Sequence, residues 1–272
     1  MKTIGLIAGM GKLPRIIAGN AKKRGYRVVA VMLEPVADDV KLGGDADVLE
    51  RINVGKLGKI FQALRKNGVT EAVMAGKVPK ELIYKGRVTP DLRAMKLLWI
   101  LKDRSDDTIL LALTRELEKE GIRLLETTEF CKDILVADGP LTRKEPDKAQ
   151  WKDIEFGFRV SKEMGRLDIG QTVVVKDRAV MAVEAIEGTD RAIKRGGKLA
   201  NGGAVVVKTA KPGQDMRFDV PVAGLSTIHA MIETGASVLA LEAGKTIAID
   251  REKMRDEADQ AGIAIVGCNF KK

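Results

Sequence analysis

Asp215, Arg217 and Asp219 fall at every second position of Lys211–Pro221, the stretch KPGQDMRFDVP. Pro212 and Gly213 oppose a helix before these residues and Pro221 opposes one after them, so the spacing predicts an extended segment. In a strand, alternate side chains share a face. The acid, guanidinium and acid then line one side, where they could place a cation, a phosphate partner and a base close together. Met216, Phe218 and Val220 would anchor the other side in a core. Taken alone, the row reads equally well as a salt-bridged strand facing solvent.

The other reactive side chains narrow the chemistry. The sequence has one histidine, His229, and two cysteines, Cys131 and Cys268, with no short spacing between them. Any metal must then be held by carboxylate and carbonyl oxygens and by the substrate's own phosphates, which points to Mg²⁺ or Mn²⁺. Acids cluster in three places: Asp168 in RLDIGQ, Glu184, Glu187 and Asp190 in VEAIEGTD, and Asp215 with Asp219. Glu184 falls at the end of a strand, and Gly188 and Thr189 form a turn suited to capping a helix that opens near Asp190. Such a turn suits an anion, and the flanking acids suit its metal.

Three further motifs lose force on inspection. Gly9 and Gly11, followed by Lys12, resemble a dinucleotide-binding turn, but the third glycine of that fingerprint falls on Pro14. The turn can still present backbone N–H groups to an anion, with Glu34 placed for a ribose. That keeps an NAD(P)-linked reductase as an alternative. Gly244, Lys245 and Thr246 imitate the end of a phosphate loop, yet Leu239 stands where its first glycine belongs, so a turn between strands is the better reading. His229, at helical spacing in STIHAMIETG, reads as a partly packed helix residue.

These residues must be positioned by an α/β scaffold. TIGLIA (3–8), a helix opening near Pro14 and VVAVML (28–33) form a βαβ unit. A helix over 56–67 and a strand over 71–75 extend it into a Rossmann-like parallel sheet. Amphipathic stretches follow at 91–102 and 107–120, then a short strand at 122–125. Periodicity lapses near Asp138, Gly139 and Pro140, which predicts an N-terminal domain over 1–138 and a distinct mixed α/β catalytic domain over 139–272. The second opens with a helix over 147–164 and continues through strands at 172–177, 179–185 and 204–208. It ends in strands at 237–241, 246–249 and 263–266, with a helix at 251–261.

Composition bounds the partners. Hydrophobic residues make up 45% and charged residues 31%, a globular balance, and no apolar run is long enough to span a bilayer. A soluble, cytoplasmic protein is expected. The net charge of +9 favours anionic partners, whereas 4% aromatic content without basic–aromatic clusters argues against nucleic acid.

GLIAGMGKLP, GKIFQALRKNGV, GRLDIGQTVVV, AVEAIEGTDRAI, KPGQDMRFDVPVAGLSTIHAM and EAGKTIAIDRE run in this order through nearly the whole chain. By these stretches it resembles the UDP-2,3-diacylglucosamine pyrophosphatases of the LpxI type, cytoplasmic enzymes of lipid A biosynthesis. The resemblance implies metal-dependent hydrolysis of the diphosphate of UDP-2,3-diacylglucosamine to UMP and 2,3-diacylglucosamine 1-phosphate, and a homodimer. It maps the family's essential aspartate onto Asp219, leaving Asp215 less secure. On this reading Asp219, Glu184 and Glu187 hold the metal, and Asp219, Arg217 and Asp215 are catalytic. Gly9, Gly11, Lys12, Gly188, Thr189, Lys211 and Gln214 contact the UDP-linked acylated glucosamine, and the positive balance favours peripheral contact with the inner membrane. A nucleotide- or lipid-binding protein without hydrolysis is the non-enzyme alternative.

Overall fold

The computed structural model describes residues 1–37, 40–79, 88–101 and 106–270, which pack as two compact units. The first comprises Met1–Cys131 together with Met216–Phe218, and the second Lys132–Asp215 and Asp219–Lys272.

In the first unit, strands β1 (Thr3–Ala8), β2 (Arg27–Glu34), β3 (Val48–Asn53), β4 (Glu71–Ala75) and β5 (Arg123–Leu124) form one parallel sheet in the order β3-β2-β1-β4-β5. β1 and β2 are apolar at almost every interior position because both faces of a central parallel strand are covered. Helix α1 (Leu13–Lys23) connects β1 to β2, and α2 (Leu57–Lys66) connects β3 to β4. On α2, Leu57, Ile60, Phe61 and Leu64 recur at i, i+3, i+4 and i+7 and are all buried. Helices α3 (Leu92–Ile100) and α4 (Asp106–Lys119) follow. Asp91 caps α3 by accepting from the Ala94 N–H at 2.8 Å. The expected end of this helix at Lys102 lies outside the described residues.

The second unit is a mixed sheet covered by helices on both faces. Its strands are β6 (Gly139–Pro140), β7 (Thr172–Lys176), β8 (Ala179–Val183), β9 (Val205–Lys208), β11 (Val238–Glu242) and β13 (Ala264–Cys268), ordered β6-β13-β11-β9-β7-β8. β9, β11 and β13 are parallel, while β6, β7 and β8 pair antiparallel to their neighbours. A small parallel pair joins β10 (Val222–Ala223) to β12 (Ile247–Ala248). One sheet face packs Val173, Val175, Val205 and Val207 with Ile154 and Phe158 of α5 (Lys148–Arg166). The opposite face packs Val174, Ala182 and Val206 with Ile193 of α6 (Thr189–Ala200), Ile228 of α7 (Leu225–Thr234) and Met254 of α8 (Arg251–Gln260). Asp147 opens α5 through a capping box with Gln150.

Residues 211–221 depart from expectation. No strand forms there: Gly213 adopts φ +72° and Asp219 φ +52°, and the backbone turns at both. Gln214 staples the turn, its Oε1 accepting from the Lys211 N–H at 3.0 Å and its Nε2 donating to the Asp219 carbonyl at 3.1 Å. A single-faced Asp215, Arg217, Asp219 row is therefore not built. Arg217 belongs to the first unit, where its guanidinium lies 3.8 Å from Glu118 and Phe218 is buried in the core. Asp215 and Asp219 belong to the second.

Candidate functional site

Lys211, three residues beyond the end of β9, pairs with two aspartates of the second unit. Its Nζ lies 2.5 Å from Asp168 and 3.7 Å from Asp219. Both aspartates hold left-handed backbones, φ +54° and +52°, a conformation Asp tolerates better than most residues but that still stores strain. Gly165 on α5 lets the loop in: a Cβ there would meet the Lys211 Cα and Pro212 Cδ at 3.1 Å. Asp168 follows directly on the end of α5, so helix and loop together set the pair.

A buried brace fixes the strand exit. Glu242, at the end of β11 and 3% exposed, accepts from the Ala210 N–H at 2.8 Å and from Lys162 Nζ at 2.6 Å. Lys162 also donates to the Ala210 carbonyl at 2.8 Å. Burial lowers the Lys162 pKa, opposed by its hydrogen bond to Glu242. The brace thus sits at the carboxyl ends of parallel strands, where open α/β sheets gather ligands.

Lys208 begins a second cluster. Although 4% exposed, its Nζ donates to Thr189 Oγ1 at 2.7 Å, and Thr189 Oγ1 donates to Glu184 Oε1 at 2.8 Å. Lys208 and Thr172 are register partners, and the Glu184 N–H donates to the Thr172 carbonyl, so the three align across β9, β7 and the end of β8. Glu184 Oε2, Thr172 Oγ1 and Gln171 Oε1 are buried without hydrogen-bond partners among the described residues. Gly188, at φ +83°, turns the chain into α6, whose first N–H groups join Lys208 as donors for an anion.

The expected metal centre is not gathered. Among the described residues no group of three or more His, Cys, Asp or Glu side chains is arranged to hold a metal ion. Glu187 pairs with Arg195 at 2.5 Å, whose hydrogen bond holds its carboxyl below the usual range. Glu184 is tied to Thr189, and Asp219 faces Lys211. As arranged, these carboxylates do not fit a three-acid centre, because each is already engaged by a cation or hydroxyl.

In the first unit, Gly9 has a backbone reason of its own. A Cβ there would lie 2.6 Å from the Lys77 carbonyl, and Met10 bridges to Lys77. Gly11, at φ +100°, and Lys12 are exposed at the start of α1. In the second unit, His229 lies on α7 with its Nε2 2.6 Å from Glu257. Sequence reasoning missed Lys208, Lys162 and Glu242 as parts of a site. Each is a charge at or near an apolar element's end, but only the strand order brings them to one place.

Residues 3–134 match the family model for the LpxI N-terminal domain and residues 137–266 that for the LpxI C-terminal domain. The UDP-2,3-diacylglucosamine pyrophosphatase LpxI of Caulobacter vibrioides is 33% identical over 281 aligned residues, covering 98% of each chain.

Proposed function

Because the chain belongs to the LpxI family over nearly its whole length, we propose that it hydrolyses the diphosphate of UDP-2,3-diacylglucosamine to UMP and 2,3-diacylglucosamine 1-phosphate. The observation that carries this reading is Lys211 held between Asp168 and Asp219, with the buried Lys208 three residues earlier in the chain bonded to Thr189 at the start of α6. Cations and N–H donors suit the diphosphate, and an exposed carboxylate suits the water that must attack it.

Lys208 and the first N–H groups of α6 take phosphoryl oxygens, and the Thr189 hydroxyl, accepting from Lys208, holds it in place. Asp219, 42% exposed at its side chain, accepts the proton of the attacking water. The water oxygen bonds to one phosphorus, the bridging P–O bond breaks, and the departing phosphate keeps the bridging oxygen. Lys211 positions Asp219 and offsets the charge that develops. Asp215 and Gln214 serve the same reaction as supporting contacts, with Gln214 holding the loop's shape.

A requirement for Mg²⁺ or Mn²⁺ belongs to the proposal, as do a cytoplasmic location and a homodimer. A divalent ion would stabilise charge on the phosphoryl oxygens. Incubation with EDTA should abolish UMP release and added Mg²⁺ restore it; turnover indifferent to EDTA overturns the requirement.

Replacing Asp219 by Asn should lower UMP release by about a hundredfold or more and leave the melting temperature near that of the wild type. Near-normal turnover in that variant removes the assigned role. Binding of the UDP-linked substrate by the wild type without product would make the protein a carrier instead.

A further inference from the structure

α3 is amphipathic in the unusual sense that its second, outward face is also apolar. The inward face is satisfied: Ala94 is buried, Leu97 packs on the core, and Arg93 lies over the Phe61 ring at 4.6 Å and pairs with Glu116 and Glu120 at 2.9 and 2.5 Å. The outward face carries Leu92, Met95, Lys96, Trp99 and Ile100, at i, i+3, i+4, i+7 and i+8. Its apolar members are 84%, 55%, 88% and 64% exposed, respectively. Four large apolar side chains aligned on one solvent-facing stripe mark a contact surface rather than the scattered exposure of an ordinary helix.

We propose that this stripe docks the protein on an anionic bilayer surface. Charge selects that occupant. Residues 1–131, which hold the stripe, carry 24 Lys and Arg against 17 Asp and Glu, while residues 132–272 carry 23 against 21. The excess of seven positive charges attracts acidic headgroups. Within the stripe the one charged residue is Lys96, and Trp99 has the ring type that favours the headgroup boundary. The helix cannot cross: nine residues rise about 13 Å, and among the described residues no helix is long and apolar enough to span a membrane. It can lie in the interface plane, indole and aliphatic side chains down and the Lys96 ammonium at the phosphates. The link to function rests on the acylated-substrate reading above: a lipid dissolved in a bilayer is reached by an enzyme that sits on that bilayer.

Co-sedimentation of the full-length protein with vesicles of phosphatidylglycerol and phosphatidylcholine, against phosphatidylcholine alone, tests the docking. Wild type should sediment with the acidic vesicles and lose them in high salt. Met95→Ser with Trp99→Ser, both at exposed positions, should weaken partitioning roughly tenfold or more at an unchanged melting temperature. In a Trp151→Phe background, Trp99 fluorescence should shift to the blue on the acidic vesicles. Hydrolysis of detergent-dispersed substrate, read separately, should be unchanged in the double variant. The proposal is overturned if wild type ignores the vesicles, if the variant binds them undiminished, or if the variant changes only the oligomeric state. Absence of hydrolysis by wild type in detergent would instead remove the proposed reaction and leave the vesicle result standing.

Discussion

Lys211 and Lys208 leave the same strand three residues apart, yet their surroundings give them different work. Lys211 stands between two carboxylates, so its charge is locally offset and it is suited to holding Asp219 in place. Lys208 is buried, donates to the Thr189 hydroxyl and lies where α6 begins, so an anion arriving at that helix start would meet its ammonium. A charge-assisted hydrogen bond of this kind contributes about 1.5–3 kcal/mol. Lys208→Met, which keeps most of the stem, should therefore weaken UMP binding by roughly tenfold to a hundredfold and raise KM more than it lowers kcat. Calorimetry with UMP checks the first and steady-state rates the second. Unchanged UMP affinity would leave Lys208 a structural residue that holds Thr189. Lys162 needs no contact with substrate to matter, because it and Glu242 grip the Ala210 backbone between the two lysines.

The elements that carry these side chains approach more closely than ordinary packing allows, and glycine is the means. A Cβ on Gly170 would lie 2.2 Å from the Glu184 carbonyl oxygen, a backbone atom that cannot step aside cheaply. Gly170→Ala should cost about 1–3 kcal/mol, lower the melting temperature by a few degrees, and displace the Glu184 end of β8 so that UMP binding weakens with it. Gly44→Ala, with open space at its Cβ, is the control expected to melt like the wild type. This close approach is not legible in the sequence, where Gly170 reads as one more turn residue. The strands themselves are legible: β7, β9 and β11 stand out as apolar runs, and α2 as a 3.6-residue repeat. Lys211–Pro221 reads wrongly as a strand because alternation of polar and apolar residues is also what a folded-back loop shows. The left-handed Gly213 and Asp219 and the Gln214 staple decide the outcome. Strand order, which brings Lys208 and Glu242 to neighbouring strand ends, is a property of pairing that no local pattern records.

Across the whole molecule, many of the carboxylates are held in ion pairs, and these pairs carry a pH dependence. Lys119, then Arg93, hold Glu116 below the usual carboxylate range, Arg93 does the same for Glu120, Lys22 for Asp47 and Arg195 for Glu187. A carboxylate whose folded pKa is depressed contributes stability above its unfolded value, and that contribution is lost as pH falls through the folded value. Melting temperature should stay level from neutral pH to about pH 5 and fall below about pH 4. Exposed pairs contribute little to this. Arg93 is the informative case, because it is mostly covered and touches Glu116, Glu120 and the Phe61 ring at once. Arg93→Met removes the ion pairs and keeps much of the packing, so at neutral pH it should destabilise by about 1–2 kcal/mol. As acid protonates Glu116 and Glu120, the wild type loses the same interactions and the gap between the two proteins should close. Denaturant melts of both proteins at matched ionic strength between pH 7 and pH 3 measure that gap. If it is equally wide at every pH, Arg93 acts through its stacking on Phe61 and the two glutamates contribute nothing measurable to the acid limb.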